Sequence, residues 1–396
     1  MKRQRFTRST GEPRTGGLVT AAIAVVAVSL TLAACGSSGN NNSAGSGGSG
    51  SPATDAAGAS VAANIKAAQN LVAQDEQRPT AIPITTPVGK PIPTGKTVDY
   101  ISVGLPTTLV EASLTNGAKL LGWKLKILET DGTPQQVLNA WAQILRQKPD
   151  GVVYAGFDQS LAQADLLKAQ KENIAVVGCC ADATATGGIN YFIEPDSLQA
   201  QMVGPLLAQI AMAQATANKP PDVLVANIPS YTVLTAIQSG FIHEYKTLCP
   251  ACNVGTLEMP ATDIGQNAPT KIVGYLRSHP NVKLVAVTLD ALATGLPAAL
   301  QAAGLGDIKF IGTIPNPGNL PYIASGAEVA DIDFDNADVY LAQLDALARK
   351  FAGAPLIPPF KEPMWILTKS NLPSATAMVP EVTTTYQQFA KIWGKS

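Results

Sequence analysis

The chain has 396 residues, a formal net charge of −1, 46% hydrophobic residues, 6% aromatic residues and two histidines, His243 and His279. That length suits two or three domains with aliphatic, Ala-rich cores. With no basic block beyond the first residues, a nucleic-acid surface is excluded. Two histidines without ligand spacing exclude a zinc centre built on them.

In chain order, residues 1–35 read as an export segment. Lys2, Arg3, Arg5, Arg8 and Arg14 form a basic start, and 18–32 is an apolar run short for a membrane span. Leu32-Ala33-Ala34-Cys35 resembles the lipobox of bacterial lipoproteins, which implies lipidation at Cys35. The competing reading is an uncleaved membrane anchor. Residues 36–95 read as tether and linker. Of these, 36–53 is Gly/Ser/Asn-rich, 56–73 is Ala-rich and compatible with a helix, and 78–96 is Pro-rich and extended. Residues 89–97 (GKPIPTGKT) look like a phosphate-binding loop. The spacer is one residue too long, the segment precedes a strand, and its prolines remove N–H donors, so it is linker.

Strands are expected at 98–104, 124–129, 151–155, 175–179 and 190–193. The helix at 133–145 is the best marked. Thr133 stands as its cap, Pro134 at its first position and Gln136 where a capping box wants it, with Val137, Leu138, Trp141, Ile144 and Leu145 on one face. Strand–helix–strand spacing predicts parallel pairs with right-handed crossovers. Ligands gather at the carboxyl ends of such strands, so 129–132 and 156–159 face a crevice. A further helix is expected at 161–171, and one at 197–215 opens a second run. Its strands are 222–228, 254–259, 284–288 and 309–312, and a further strand at 329–334 is expected to lead back toward the first run. The helices of the second run are 232–246, 265–278 and 291–303, the last expected to kink at Pro297. A helix at 337–351, a Pro-rich stretch at 355–363, a strand at 365–368 and a helix at 381–393 complete the chain.

The segments GAKLLGW, ETDGTPQQ, QKPDGVVYAGFD and TLDALATGLPAALQAAG resemble the sugar-type, ribose-binding-protein-like solute-binding proteins of ABC importers, over roughly 96–352. The resemblance implies an α/β fold of two doubly wound parallel-sheet lobes joined by a hinge, the type I periplasmic binding protein fold. One lobe takes 96–194 plus 336–362 and the other 195–335 plus 363–396, with 355–363 as a third hinge strand. It also implies a lipid-anchored, extracytoplasmic monomer that closes on a small-molecule ligand and partners an ABC permease, with no cofactor and no catalysis. A ligand sensor feeding a membrane receptor or kinase is the alternative. No nucleophile elbow, metal cluster or Ser/His/Asp constellation supports an enzyme. The export segment, and the lack of a basic DNA-reading element, oppose a repressor.

Walking the strand ends gives the candidate ligand site. Pro106 and Thr107 stand where the family often stacks aromatics. Phe157 offers a stacking face or plugs the core. Asp158 accepts from ligand or caps the next helix, the cap being favoured, and the same choice holds for Asp290. Cys180, Asp182, Tyr231, Asn316 and Asp333 complete the set; Asp182 is alternatively a turn residue, and Asp333 alternatively pairs with the neighbouring lobe. Ile237 and Leu289 stand where the family places Arg and Asn. So few charged and amide groups point to a ligand less polar than ribose or galactose, aromatic or carrying an amine. Cys249 and Cys252 precede a strand and read as a structural disulfide, not a redox pair. Cys179 and Cys180 are either packed thiols or a vicinal bridge.

Overall fold

The computed structural model describes residues 52–102, 108–181, 185–193, 196–334, 337–358 and 360–395. Helix α1 (Pro52–Asp75) leads through an extended stretch, 76–96, to β1 (Thr97–Ile101). There follow α2 (Thr108–Leu121), β2 (Lys124–Leu128), α3 (Pro134–Gln147), β3 (Gly151–Ala155), α4 (Gln163–Lys171), β4 (Ala175–Cys179) and β5 (Tyr191–Ile193). The second run is α5 (Asp196–Gln201), α6 (Val203–Ala213), β6 (Asp222–Asn227), α7 (Thr232–Leu248), β7 (Val254–Glu258) and α8 (Ala268–Ser278). It continues with β8 (Val282–Val287), α9 (Leu296–Ala302), β9 (Lys309–Thr313), α10 (Leu320–Ser325) and β10 (Glu328–Phe334). The chain closes with α11 (Asp338–Ala352), β11 (Met364–Leu367) and α12 (Thr385–Ile392). Among the described residues no helix is long and apolar enough to cross a membrane.

These strands form two sheets, ordered β2-β1-β3-β4-β5 and β11-β10-β9-β8-β6-β7. All pairs are parallel except β10–β11. The residues explain their places. Central strands β3 (GVVYA) and β4 (AVVGC) are apolar throughout and buried throughout, because helices cover both faces. Edge strands β2 (KLKIL) and β7 (VGTLE) alternate and are only partly buried. In each sheet the winding direction reverses, between β1 and β3 and between β6 and β8, and crevices open at such points.

Each sheet has its own core. The first gathers Val98, Tyr100, Trp141, Val152 and Val176, with Leu341, Leu344 and Leu347 of α11 laid against them. The second gathers Val225, Ile237, Phe241, Val285, Ile311 and Ile332. Helix α11 is keyed to the first sheet by Gln343, whose Nε2 donates to the Tyr154 carbonyl at 2.7 Å.

Several expectations need correcting. β2 and β3 are parallel but not neighbours, since β1 lies between them. The helix expected at 197–215 is two helices broken at Met202; Pro205, without an N–H, cannot bond back one turn. Pro297 lies in the first turn of α9, where a missing N–H costs nothing, so it starts that helix instead of kinking it. Residues 355–363 form no strand where described. The linker is more than a tether: Ile65 and Val72 of α1 join the second core, and Ile82, Ile84, Val88 and Ile92 join the first. Helix α12, expected with the second lobe, places Phe389 and Ile392 in the first core, beside Trp393. The hinge positions 194–195 and 335–336 lie outside the described residues, as does Cys35.

Cys249 and Cys252 are bridged, with Cα atoms 5.4 Å apart, at the end of α7. Cys179 and Cys180 are also bridged, at the end of β4. The phosphate-loop look-alike is part of the extended stretch. Its Lys96 pairs with Asp150 at 2.7 Å, and Trp123 Nε1 donates to the Pro93 carbonyl at 2.8 Å.

Candidate functional site

A crevice of about 550 Å³ lies at the carboxyl ends of β2 and β3 on one side and β6 and β7 on the other. The first sheet contributes Asp131, Thr133, Phe157 and Asp158 to its walls, and the second contributes Ser230, Tyr231, Thr262 and Gln266. Each wall is held by its own local chemistry.

After β2 the chain is tied by Thr130. Its N–H donates to Ser102 Oγ at 2.9 Å and its hydroxyl to the Ser102 carbonyl at 2.7 Å. Thr133 stands at the start of α3 but does not cap it with its side chain. Its hydroxyl donates to Asp131 Oδ1 at 2.6 Å and its N–H to the same oxygen at 2.9 Å. The Thr133 hydrogen bonds hold the Asp131 carboxyl below the usual range, so it is an anion at the crevice mouth.

After β3 the chain turns at Gly156, whose φ of 74° suits a residue without Cβ. That turn presents Phe157 and Asp158. Phe157 is 6% exposed and serves both readings, since it belongs to the first core and lines the crevice. Asp158 caps the short 3-10 turn that follows, one oxygen accepting from the Ser160 N–H at 2.6 Å.

In the second lobe Tyr231 occupies the N-cap of α7 without a side-chain cap, so its ring is released into the crevice. Burial, with the Asp131 charge beside it, pushes its phenol up. The turn after β7 is anchored by Asp263, buried and ion-paired with Lys271 of α8. That anchoring positions Thr262 and Gln266.

Other expected residues lie elsewhere. Pro106, Thr107 and Asp182 are outside the described residues. Cys180 is half-buried, with φ at 60°, and its N–H donates to the Ile193 carbonyl at 3.1 Å. Asn316 spends its side chain on its own loop: Oδ1 accepts from Gly318 N–H at 2.9 Å, and Nδ2 donates to Asn319 Oδ1 at 2.7 Å. Asp333 is 1% exposed within β10. Asp290 does not take the N-cap position, which falls to Leu289; it is fully buried in the second lobe and does not line the crevice. The turn after β7 was missed, although the strand-end rule that found 156–158 applies to it equally.

Comparison with known proteins agrees with this two-sheet fold. A family model described as a periplasmic binding protein domain matches residues 102–353. A glucose-galactose binding protein from Geobacillus stearothermophilus is 17% identical, with a TM-score of 0.61 over 71% of this chain and 100% of its own. A carbohydrate transporter solute-binding protein from Agrobacterium radiobacter, in complex with D-arabinose, is 19% identical, with a TM-score of 0.61 over 70% of this chain and 96% of its own. A regulator of the LacI type from Bacteroides fragilis shares the fold at 16% identity and a TM-score of 0.59, over 70% of this chain and 98% of its own. No curated protein matches in sequence.

Proposed function

Because the chain belongs to the periplasmic binding protein domain family, a family of binding proteins and not of enzymes, we propose that it is the extracytoplasmic, lipid-anchored substrate-binding subunit of an ABC transporter. It holds a small solute between its two lobes, and the hinge closes on it. The closed form is what a permease receives, and the ligand's preference for that form drives the closure.

One observation carries this reading. Phe157 comes from one sheet and Tyr231 from the other, and both line the same crevice. A ligand gripped by both must draw the lobes together. The lining also narrows the ligand class. Asp131 and Asp158 each commit one oxygen to a neighbouring N–H, which leaves the other for a ligand hydroxyl or ammonium. Ser230, Thr262 and Gln266 add further donors and acceptors beside the two rings. This mixture supports a neutral, sugar-like polyol with one flat apolar face over the less polar ligand expected from sequence. Cys35 is the point of lipid attachment, and the chain after it keeps the receptor near its permease.

Isothermal titration of the mature protein against D-arabinose, galactose, myo-inositol and aromatic amines tests the ligand class. Small-angle scattering with and without the best ligand tests closure. Micromolar binding with a smaller radius of gyration is expected. A radius unchanged by every ligand that binds defeats the hinge reading. Cys35→Ser is expected to move the protein from the membrane fraction to the soluble one.

A further inference from the structure

The second lobe buries three carboxylic acids together, away from the crevice lining. Asp290 follows β8, and Glu328 and Asp331 belong to β10. All three are 0% exposed. One oxygen from each lies within 4.8 Å of the other two. By strict geometry none of their six oxygens has a hydrogen-bond partner among the described residues, although the Asn319 side chain stands near Glu328 and the main chain of Thr313 and Ile332 near Asp290 and Asp331. The ion pairs of the described residues engage other acids, so no Lys or Arg neutralises these three.

The surroundings make room for the cluster. On the adjacent strand β9, Gly312 faces it. A Cβ at that position would collide with Asp290 Oδ1 and come within 2.8 Å of Glu328 Oε1. Asn319 braces the frame, donating from Nδ2 to the Asp290 main-chain carbonyl at 2.8 Å. On β10 the two acids, with Asp333 further along, alternate with residues of the second core, Ala330 and Ile332. A core position that needed only packing would carry an aliphatic side chain. Burying an uncompensated carboxylate costs several kcal/mol, so three converging on one point call for positive charge there.

The spacing says what kind. Oxygens bound to one ion at about 2.3–2.6 Å are separated by at most twice that distance, and carboxylate donors alone select a hard cation. We propose that Asp290, Glu328 and Asp331 hold one hard divalent cation of the Ca²⁺ class as a structural site inside the second lobe. The ion ties the turn after β8 to β10 and, through Asn319, to the start of α10. It stabilises that lobe and takes no part in solute contact.

The test uses the mature protein prepared in chelator, then titrated with CaCl₂ and, separately, with MgCl₂ and ZnCl₂. Metal content after gel filtration and the thermal midpoint are the readouts. About one equivalent of Ca²⁺ is expected, with the midpoint raised by about 5 °C or more at saturation. The Glu328→Gln, Asp331→Asn double variant is expected to lose both. If that variant fails to fold, the comparison of metal-free and Ca²⁺-loaded wild type decides alone. No retained metal and an unmoved midpoint at millimolar Ca²⁺ overturn the proposal, because the carboxyls then share protons instead. A preference for Zn²⁺ overturns the hard-cation assignment, and undiminished Ca²⁺ binding in the double variant overturns the ligand set.

Discussion

Arg349 and Asp345 lie one turn apart on α11 and form an ion pair of 2.6 Å with both side chains 2% exposed. Asp345 also accepts from Trp393 Nε1 at 2.9 Å, and Arg349 donates to the Thr86 carbonyl. The pair therefore fastens the segment before β1 and the C-terminal residues to one helix. Burial pushes the Asp345 carboxyl up, and Arg349 opposes that shift. Removing the guanidinium strands a buried carboxylate, so Arg349→Ala is expected to cost about 3–5 kcal/mol in denaturant unfolding. A cost below about 1 kcal/mol would show that the pair is dispensable.

Phe157 and Tyr231 face the same crevice with different duties. Tyr231 is half-buried at a helix start and only packs against the edge of the second core, so Tyr231→Ala is expected to weaken ligand binding by about tenfold while lowering stability less than Phe157→Ala does. Phe157 belongs to the first core, and Phe157→Ala is expected to weaken binding and also cost about 3–5 kcal/mol of stability. Calorimetry of both variants against the best ligand from the panel, with parallel melts, separates the two effects.

Gly204 lets α6 and α7 approach. A Cβ there would stand 2.5 Å from the Ile237 carbonyl oxygen and 2.7 Å from the Phe241 nitrogen, both main-chain atoms that cannot swing aside. Gly204→Ala is expected to destabilise by about 1–3 kcal/mol. Gly274, exposed on α8 with open space at its Cβ position, is the control. Gly274→Ala is expected to stabilise by about 0.5–1 kcal/mol. Thermal melts of the two variants should move in opposite directions.

The buried acids set a pH dependence for the metal-free protein. Burial first, and repulsion from one another second, push Asp290, Glu328 and Asp331 well above the usual carboxylate range, and Asp333 adds to the effect on Asp331. The folded chain then keeps protons that the unfolded chain has released. Stability should fall as pH rises from about 4, by at most about 1.4 kcal/mol per pH unit for each such group. Denaturation midpoints measured from pH 4 to 8 in chelator should show this decline, and Ca²⁺ should remove most of it.

Much of the fold is readable from local pattern. The unbroken apolar runs of β3 and β4 and the helical spacing of Val137, Trp141 and Ile144 place those elements within a residue or two. The strand-end rule then finds Phe157, Asp158 and Tyr231 around the crevice. Long-range facts escape such reading. An Asp directly after a strand looks like a cap, and nothing near Asp290 announces Glu328 and Asp331. Pro297 reads as a kink only if one helix is assumed to run from 291; Gly295, with φ of 83°, separates the preceding turn from α9. The membership of α12 depends on Phe389 reaching a sheet built from the other end of the chain.

The segment before β1 carries a practical consequence. Trp365 Nε1 donates to the Glu76 carbonyl at 3.0 Å, Arg78 Nε donates to the Glu381 carbonyl at 2.8 Å, and Val88 N–H donates to the Ile392 carbonyl at 2.9 Å. The segment before β1 and the C-terminal residues are thus sewn into the body, outside the stretch 102–353 that the family shares. A recombinant fragment trimmed to that stretch would strip Ile65 and Val72 from one interior and Ile82 through Ile92, with Phe389, from the other. The smallest piece that can be expected to fold stably starts at or before α1 and runs through Trp393.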